Sequence, residues 1–375
     1  MQTVEAAGLG IGDDHPPRIM GVLNVSEESP YDPSVFSDPG EAAAYVDREL
    51  IGEGADIVDV GLESANKRLD VLSPEEELDR LDTAIETIDS VSGDAVFSIE
   101  TRYSEVAERA LSRGFNMVND VCGFADPAMP EVCAAHAAAV VKMASPPDLE
   151  RPGAIESVDD IYDALATNGF TEKTILDPAF GGWSPEKTLA DDRETLSRLR
   201  EFRAYGRPLL VSINRKNFLR DVAGRSTEEA LPVSLAATAM AVERGAHVLR
   251  THDVAETRDA ALVGREFARE RLSNLAVEEL DVTSEREAAR HLERVGGNAE
   301  LADAGVTRWF RLSDLGDAYD PLAAAVADSR GVHLAGADPA LLFGTRDGID
   351  SLNRVISDES SRLSAILSKI LDEYH

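Results

Sequence analysis

Polar and charged residues stand at the end of each of eight short apolar runs, and these residues are the candidates for chemistry. In chain order they are Asn24, Glu63, Glu100, Asn119 with Asp120, Lys142, Asp177, Asn214-Arg215-Lys216, and Arg250 with His252. A strand that is buried on both faces should end in apolar or turn-forming residues unless its tip is used. One such residue could be a turn or a cap, but eight in succession predict a polar site.

The residue types favour binding and electrostatic chemistry over covalent catalysis. The sequence offers no Cys–His or Ser–His pair in a nucleophile context, and no set of His and carboxylates that would close a zinc or two-metal site. Arg and Lys concentrate after the last two runs and suit a phosphate or pyrophosphate oxyanion. A buried carboxylate such as Asp177, flanked by an amide such as Asn119, suits the N–H edge of a flat heterocycle. These residues predict a ring beside an anion and leave the reaction open.

The eight runs have the character of parallel strands, because they are short, nearly continuously apolar and rich in β-branched residues. They cover residues 18–25, 56–63, 96–101, 117–121, 139–145, 174–180, 208–214 and 247–253. Helical patterns lie between them, and this alternation predicts a (β/α)8 TIM barrel with its site at the carboxyl ends of the strands. An open doubly wound sheet is the alternative, but no Gly-x-Gly-x-x-Gly follows an early run.

The barrel leaves a segment at each end of the chain. We expect an N-terminal tail at residues 1–17, the barrel at residues 18–270, and a small α/β domain at residues 276–375. In that last segment the pattern predicts helices at 284–295 and 360–373 and a strand at 332–335. The sequence predicts no role for it.

The composition limits the partners of the chain. Its 375 residues include 70 Asp or Glu and 37 Lys or Arg, a formal net charge of −33, which argues against a nucleic-acid partner. No apolar stretch approaches the roughly 20 residues of a membrane span. The N-terminus lacks the order of a signal peptide, and the two cysteines fit neither a metal knuckle nor a disulfide framework. We therefore expect a cytoplasmic protein that acts on small molecules.

The basic residues are strongly biased towards arginine. Only six of the 37 are lysine, at positions 67, 142, 173, 187, 216 and 369. A surface rich in carboxylates and poor in lysine suits concentrated salt, where repulsion between like charges is screened within about 3 Å at 1 M. We predict a halophilic protein whose folded fraction, followed by circular dichroism, falls when salt is removed.

Seven segments form a recognisable series along the chain: IMGVLNV (19–25), EGADIVDVGLES (53–64), SIET (98–101), NDVCGFADPAM (119–129), LDPAFG (176–181), NRKNF (214–218) and RTHDV (250–254). In order and spacing they resemble dihydropteroate synthase. The resemblance implies a pterin-binding (β/α)8 barrel that condenses 6-hydroxymethyl-7,8-dihydropterin pyrophosphate with p-aminobenzoate or a related arylamine. Pyrophosphate is the other product, and Mg²⁺ is the implied cofactor.

The resemblance also implies roles for individual residues. The implied pterin contacts are Glu100, Asn119, Asp177 and Lys216, and the implied pyrophosphate contacts are Asn24, Arg250 and His252. Asn24 is the implied magnesium ligand, and Lys216, Arg250 and His252 are the implied catalytic residues. Glu100 stands where the family has Asp.

Other positions depart from the family pattern on the arylamine side. In the loop after the second strand, Ala65 and Asn66 replace the family's Thr and Arg, and Lys142-Met143-Ala144 replaces the Met-His-Met of strand 5. Ser64, Asn66 and Lys142 are the candidate arylamine contacts, with Lys142 facing either an acidic group on a larger arylamine or Glu100. Two alternatives stay open: a non-catalytic or altered-specificity pterin-binding paralogue, and a pterin-dependent methyltransferase. A homodimer is a further expectation.

The C-terminal segment has a looser resemblance of its own. It is similar to an extension of some dihydropteroate synthases that usually precedes the barrel, in SEREAARHLERVGG and HLAGADPALLFGTRDGIDSLNRVI.

Overall fold

The protein is described here from a computed structural model covering residues 1–25, 34–63, 71–181, 184–271, 273–274, 277–337, 339–356 and 361–372. Two compact units are present, Met1–Glu270 and Arg271–His375. No helix within these ranges is long and apolar enough to cross a membrane.

The first unit contains the predicted (β/α)8 barrel. Its parallel strands are β3 (Arg18–Asn24), β4 (Ile57–Gly61), β5 (Val96–Thr101), β6 (Met117–Asp120), β7 (Ala139–Met143), β8 (Thr174–Asp177), β9 (Leu210–Val211) and β10 (Val248–Thr251). They are hydrogen-bonded in the order β8-β7-β6-β5-β4-β3-β10-β9, and a parallel bridge between Leu176 and Leu209 joins the two outer strands. The fold class predicted from the eight apolar runs is confirmed.

Helices surround the sheet on its outer side. They are α1 (Pro39–Tyr45), α2 (Pro74–Ser90), α3 (Ser104–Leu111), α4 (Met129–Ala135), α5 (Val158–Ala166), α6 (Leu189–Ser197), α7 (Asn217–Ala223), α8 (Leu231–Glu243) and α9 (Val254–Glu266). A π-helix (Val46–Ile51) continues α1, and a 3-10 helix (Leu199–Tyr205) follows α6. The start of α2 is fixed locally, because Ser73 and Glu76 form a reciprocal capping box.

The N-terminal tail predicted at residues 1–17 is wrong, because most of this segment is structured. Strands β1 (Val4–Ala6) and β2 (Leu9–Ile11) form an antiparallel hairpin. Val4, Ala6 and Ile11 are buried in one cluster with barrel residues such as Met20 and Val248. These apolar side chains leave water when the hairpin forms, so the hairpin completes the core at the amino ends of the strands.

The second unit combines two small antiparallel sheets with helices. Its elements are β11 (Ser273–Asn274), β12 (Val277–Glu278), α10 (Glu285–Arg294), β13 (Thr307–Leu312), α11 (Tyr319–Ala327), β14 (Val332–Ala335), β15 (Ala340–Thr345), α12 (Arg346–Ile356) and α13 (Ser361–Asp372), with 3-10 helices at Ala299–Ala304 and Gly316–Ala318. Strands β13, β15 and β14 form an antiparallel sheet in that order, and leucines and isoleucines of α12 and α13 contribute to its own core. The two predicted helices and the predicted strand are present. Strands β13 and β15 are also present, and the sequence analysis did not predict them.

Candidate active site

Alternation along the strands decides which side chains reach the barrel interior. In β4, Ile57 belongs to the interior cluster, so Asp59 and Gly61 share its face, whereas Val58 and Val60 pack against the helices. The same period of two brings residues of all eight strands together at their carboxyl ends.

A cavity of about 490 Å³ opens at these carboxyl ends, which we call the mouth of the barrel. All seven residues with an implied pterin or pyrophosphate role line it, namely Asn24, Glu100, Asn119, Asp177, Lys216, Arg250 and His252, as do the candidates Glu63, Asn214 and Arg215. They come from positions more than two hundred residues apart, and the barrel topology alone brings them together.

The floor of the cavity holds a hydrogen-bonded charge network around Asp59. Arg250 donates from Nε to Asp59 Oδ2 at 2.8 Å and from Nη2 to Glu100 Oε2 at 2.6 Å. Asn119 Nδ2 donates to the same Asp59 oxygen at 2.9 Å. Burial opposes the charged form of Arg250, but the nearby carboxylates of Glu100 and Asp59 outweigh it and raise its pKa. Arg250 therefore stays charged and fixed in place.

Asp177 is the carboxylate that remains for a ligand. It is 5 % exposed and accepts the backbone N–H of Ala179 at 2.8 Å. Burial raises its pKa to about 6, against the opposing charge of Lys216. Burial, followed by the charge of Arg250, lowers the pKa of Lys216. A weakly solvated carboxylate beside an ammonium group can bind both the N–H groups and the acceptor atoms of a polar ring.

The segment that follows Asp177 is held in place by Lys187, whose side chain is buried. Lys187 Nζ donates to the Ala179 carbonyl at 2.8 Å and lies 3.3 Å from Asp192 Oδ1. Asp192 in turn accepts the N–H of Gly181, whose φ is +116°, a conformation that favours glycine. This pair fixes the backbone that contacts Asp177.

His252 and Arg215 contribute less charge to the mouth than their residue types suggest. Burial, followed by the charge of Arg250, lowers the pKa of His252 to about 4, so its imidazole is neutral at pH 7. The guanidinium of Arg215 forms an ion pair with Asp253, with Nε 2.8 Å from Oδ2. Of the four basic residues predicted after the last two strands, Arg250 and Lys216 therefore remain as the sources of positive charge at the mouth.

Lys142 lies outside the cavity, and its predicted contact with an arylamine or with Glu100 is wrong. Its side chain is fully buried between the sheet and α5, where Nζ donates to the backbone carbonyls of Leu165, Thr167 and Gly169. Burial lowers its pKa to about 8. Because Met143 lines the cavity, the preceding residue must point to the other face of the sheet. Lys142 instead donates hydrogen bonds to backbone carbonyls at and just after the C-terminal end of α5.

Comparisons with known proteins bear on this arrangement. The family model of pterin binding enzymes matches residues 20–252. The dihydropteroate synthase of Escherichia coli is 31% identical over 276 residues, which cover 69% of this chain and 94% of that protein. The chain belongs to the dihydropteroate synthase family of pterin-binding enzymes.

Solved structures of this family have the same fold. A dihydropteroate synthase from Coxiella burnetii in complex with pteroic acid has a TM-score of 0.59 and 28% identity, covering 70% of this chain and 98% of that one. The enzyme from Thermus thermophilus in complex with 4-aminobenzoate has a TM-score of 0.58 and 30% identity, covering 71% and 100%.

One of the similar proteins is much longer than this chain. A protein of Haloferax volcanii named "Probable bifunctional folylpolyglutamate synthase/dihydropteroate synthase" is 34% identical over 260 residues, which cover 65% of this chain. The chain spans about 30% of the length of that relative.

Two differences from the dihydropteroate synthase pattern bear on the mouth. Glu100, which stands in place of the family's Asp, lies within hydrogen-bonding distance of Arg250. Ser64 and Asn66, the other candidate arylamine contacts, lie outside the described residues. At the two ends of that loop, Glu63 pairs with Arg102 and accepts the N–H of Leu72 at 3.2 Å.

The mouth offers few side-chain oxygens that could act as ligands of Mg²⁺. The described ranges contain no group of three or more His, Cys, Asp or Glu that could hold a metal ion. Asn24 supplies an amide oxygen, and a Cβ on Gly61 would lie 3.1 Å from it, so the glycine keeps that oxygen accessible. Mg²⁺ commonly binds through one or two protein oxygens together with substrate phosphates, and Asn24 fits that pattern.

Sequence reasoning missed Asp59, which is central to the floor. It lies in the middle of an apolar run rather than at its end, so a search of strand tips passed over it. The available signal was a carboxylate within a strand predicted to be buried on both faces, which requires a charged or hydrogen-bonding partner.

Proposed function

We propose that this protein is a dihydropteroate synthase-type transferase that joins 6-hydroxymethyl-7,8-dihydropterin pyrophosphate to p-aminobenzoate or a related arylamine and releases pyrophosphate. The observation that carries the proposal is the convergence of Asp177, Asn119 and Lys216 with Arg250 and His252 on one cavity. Membership of the family supports it.

In this proposal the pterin ring lies against Asp177 and Asn119. With a pKa of about 6, Asp177 is mostly ionised at pH 7 and accepts the paired N–H groups of the ring. Asn119 is already oriented by Asp59, and Lys216 donates to an acceptor atom of the ring. The ring is therefore recognised by groups that need no rearrangement when it binds.

In this proposal the leaving pyrophosphate lies against Arg250 and His252, at the carboxyl end of β10. Cleavage of the carbon–oxygen bond leaves a cation delocalised into the pterin and places negative charge on the leaving oxygens. Arg250 is held ready by Asp59 and Glu100, and neutral His252 adds a hydrogen bond without competing charge. The amine nitrogen then forms a bond to the cationic carbon and releases one proton to the solvent, so the reaction needs no protein nucleophile.

Asn24 is the residue that would hold Mg²⁺ beside the pyrophosphate. When bound, the ion neutralises charge on the leaving group as a Lewis acid.

Pyrophosphate release tests the proposal. Purified protein at high KCl concentration is given the pterin pyrophosphate and a panel of arylamines, and wild type is compared with Lys216→Ala. We expect release with at least one arylamine and a loss of about 10²–10³-fold in Lys216→Ala, because the substituted group contacts the reacting substrate.

Lys173→Ala is the matched control. The Nζ of Lys173 donates to the carbonyl of Ala137, and Lys173 does not line the cavity, so its loss should leave the rate unchanged. Full turnover in Lys216→Ala would eliminate the synthase proposal, whereas pterin binding without turnover in wild type would favour a non-catalytic pterin-binding paralogue.

A further inference from the structure

The three-stranded sheet of the second unit has one buried face and one exposed face. Along β13, β15 and β14, alternate side chains such as Leu312, Leu342 and Val332 belong to the core of the unit. The side chains between them point away from that core, and among these Trp309 is 62 % exposed and Leu341 is 41 % exposed. The exposed face therefore carries large apolar side chains that the core of the unit does not use.

The strand register arranges this face in rows that run across the three strands. Phe343 is paired with Trp309 on one side and with His333 on the other. The Trp309 and Phe343 rings stack with their centroids 3.9 Å apart, and the His333 ring lies 5.2 Å from that of Phe343. The next row consists of Arg311, Leu341 and Ala335. We call these six residues the aromatic face.

The exposed side of this sheet is free of carboxylates. Its remaining outward positions, in three strands that the structure describes in full, are Thr307 and Thr345. Carboxylates are otherwise abundant, because 70 of the 375 residues are Asp or Glu. Aromatic residues and arginine are enriched at the centres of protein interfaces, whereas Asp and Glu are depleted there. The aromatic face therefore has the composition of a protein contact.

The charge of the chain favours a second copy as the partner. Small ligands are usually enclosed in clefts, and the phosphates of a nucleic acid would meet a chain with a net charge of −33. Two copies of so acidic a chain bring carboxylates together over most of their surfaces. Burying an unpaired carboxylate is costly even in concentrated salt, because the group loses its hydration. Two aromatic faces can meet without that cost.

The two rows of the aromatic face are also complementary to each other. A two-fold axis that runs across the strands, between the rows, lays each row of one copy over the other row of the second copy. The facing pairs are then Trp309 with Arg311, Phe343 with Leu341, and His333 with Ala335. Each pair sets a ring against a guanidinium, an aliphatic or a small side chain, so two sheets can interdigitate at the usual spacing of about 10 Å.

We propose that the aromatic face joins two copies of this chain through their second units, about this two-fold axis. The inference concerns the second unit alone and does not depend on the proposed function. Three strands of four to six residues offer less area than the roughly 800 Å² per partner of a standard interface. The association is therefore weak, reversible and dependent on protein concentration.

Sedimentation equilibrium of the full chain at high KCl concentration tests the interface. Wild type should associate reversibly as its concentration rises. Leu341→Glu places a carboxylate against Phe343 in both copies and should raise Kd by about tenfold or more. Val295→Glu is the matched control, because Val295 is 79 % exposed in the same unit and follows α10, outside the sheet. Its Kd should equal that of wild type, and circular dichroism confirms that each variant is folded.

An exchange of two residues tests the two-fold axis itself. In Trp309→Arg, the new guanidinium faces Arg311 of the second copy, and the repulsion should raise Kd by about tenfold. The double variant Trp309→Arg with Arg311→Trp forms the ring–guanidinium pair again in both copies. It should recover most of the wild-type affinity, which exchanging the two residues would not do for an unrelated partner.

Three results would overturn the proposal. In the first, wild type stays monomeric at the highest soluble concentration. In the second, Leu341→Glu and Trp309→Arg associate as wild type does, because the copies then meet through another surface. In the third, the double variant is no tighter than Trp309→Arg. If the barrels associate as well, loss of one association step in these variants, with the other step retained, supports the aromatic face.

Discussion

The two ends of the barrel use buried charge in opposite ways. At the amino ends of the strands, which we call the base, Asp13 accepts from both terminal nitrogens of Arg203 and lies 3.1 Å from His247 Nε2. The hairpin of residues 4–11 covers this end with apolar side chains. Every charged group of that cluster has its partner within the protein, and no cavity needs to remain.

At the mouth, by contrast, charge is only partly compensated. Burial raises the pKa of Asp177, and Asp59 Oδ1 is buried without a hydrogen-bond partner among the described residues. At the base, paired charges stabilise the fold. At the mouth of the same barrel, charges without full compensation can bind a ligand. The comparison predicts that substitutions at the base change the free energy of unfolding without changing the kinetics, whereas substitutions at the mouth change the kinetics as well.

The largest effect on stability is expected at the base. Asp13→Asn leaves the guanidinium of Arg203, which is 8 % exposed, without its carboxylate, and should lower the free energy of unfolding by about 3 kcal/mol. KM for the pterin pyrophosphate should not change. Denaturant unfolding and steady-state kinetics measure the two quantities, and exposed Asp14→Asn is the control with an expected change within about 0.5 kcal/mol.

The same pair predicts a pH dependence. Although burial opposes it, hydrogen bonds from His247 and Arg203 lower the pKa of Asp13 well below its usual range. Its contribution to stability is therefore present above pH 4 and declines as pH falls further. Wild type should lose stability more steeply than Asp13→Asn between about pH 5 and pH 3. Identical slopes would contradict this account.

A smaller loss of stability, with a kinetic effect, is expected at the floor of the mouth. Asp59→Asn removes the charge between Arg250 and Asn119, but Glu100 still pairs with Arg250, so the cost should be about 1–3 kcal/mol. Pyrophosphate release should fall as well, because Arg250 and Asn119 lose their orientation. Ser98→Ala is the control, since the buried Ser98 hydroxyl has no partner among the described residues. Unchanged turnover in Asp59→Asn would remove the distinction between the two ends.

The smallest effect concerns the protonation of Asp177. Because burial raises its pKa to about 6, kcat/KM for the pterin pyrophosphate should rise as pH increases through 6 and level off above it. Below pH 6 each unit should cost at most about tenfold. His252, with its pKa lowered to about 4, should add no inflection near pH 6.5. A flat profile between pH 5 and pH 8 would exclude Asp177 as the ionised pterin contact.

Features of the fold and the site could be predicted from the sequence when the residues that determine them are close together in the chain. The strand tips that carry Asn24, Asn119 and Asp177 were found because apolar runs and their terminal polar residues are adjacent in sequence. Lys142 was misassigned because its run is apolar on both faces and shows no alternation from which to read direction. The partners that bury its ammonium group follow some 25 residues later in the chain.

In the second unit, too, local patterns predicted some elements and missed others that depend on distant contacts. Helices α10 and α13 have amphipathic patterns that can be read locally, and both were predicted. Strand β13 was missed, since its TRWFRL sequence carries two arginines and it pairs with β15, which begins at Ala340. Antiparallel pairing at that distance depends on contacts that no local pattern records.

The barrel, the order of its strands along the chain and the residue types at their ends can be read from the sequence, because they follow from the period of the apolar runs. Which charges are compensated can be read only from the fold. Arg215, Arg220 and Arg250 are alike as residues, and their partners come from different elements of the fold. The strength of a buried charge depends on the dielectric and on neighbours within a few ångströms, and chain order does not specify either.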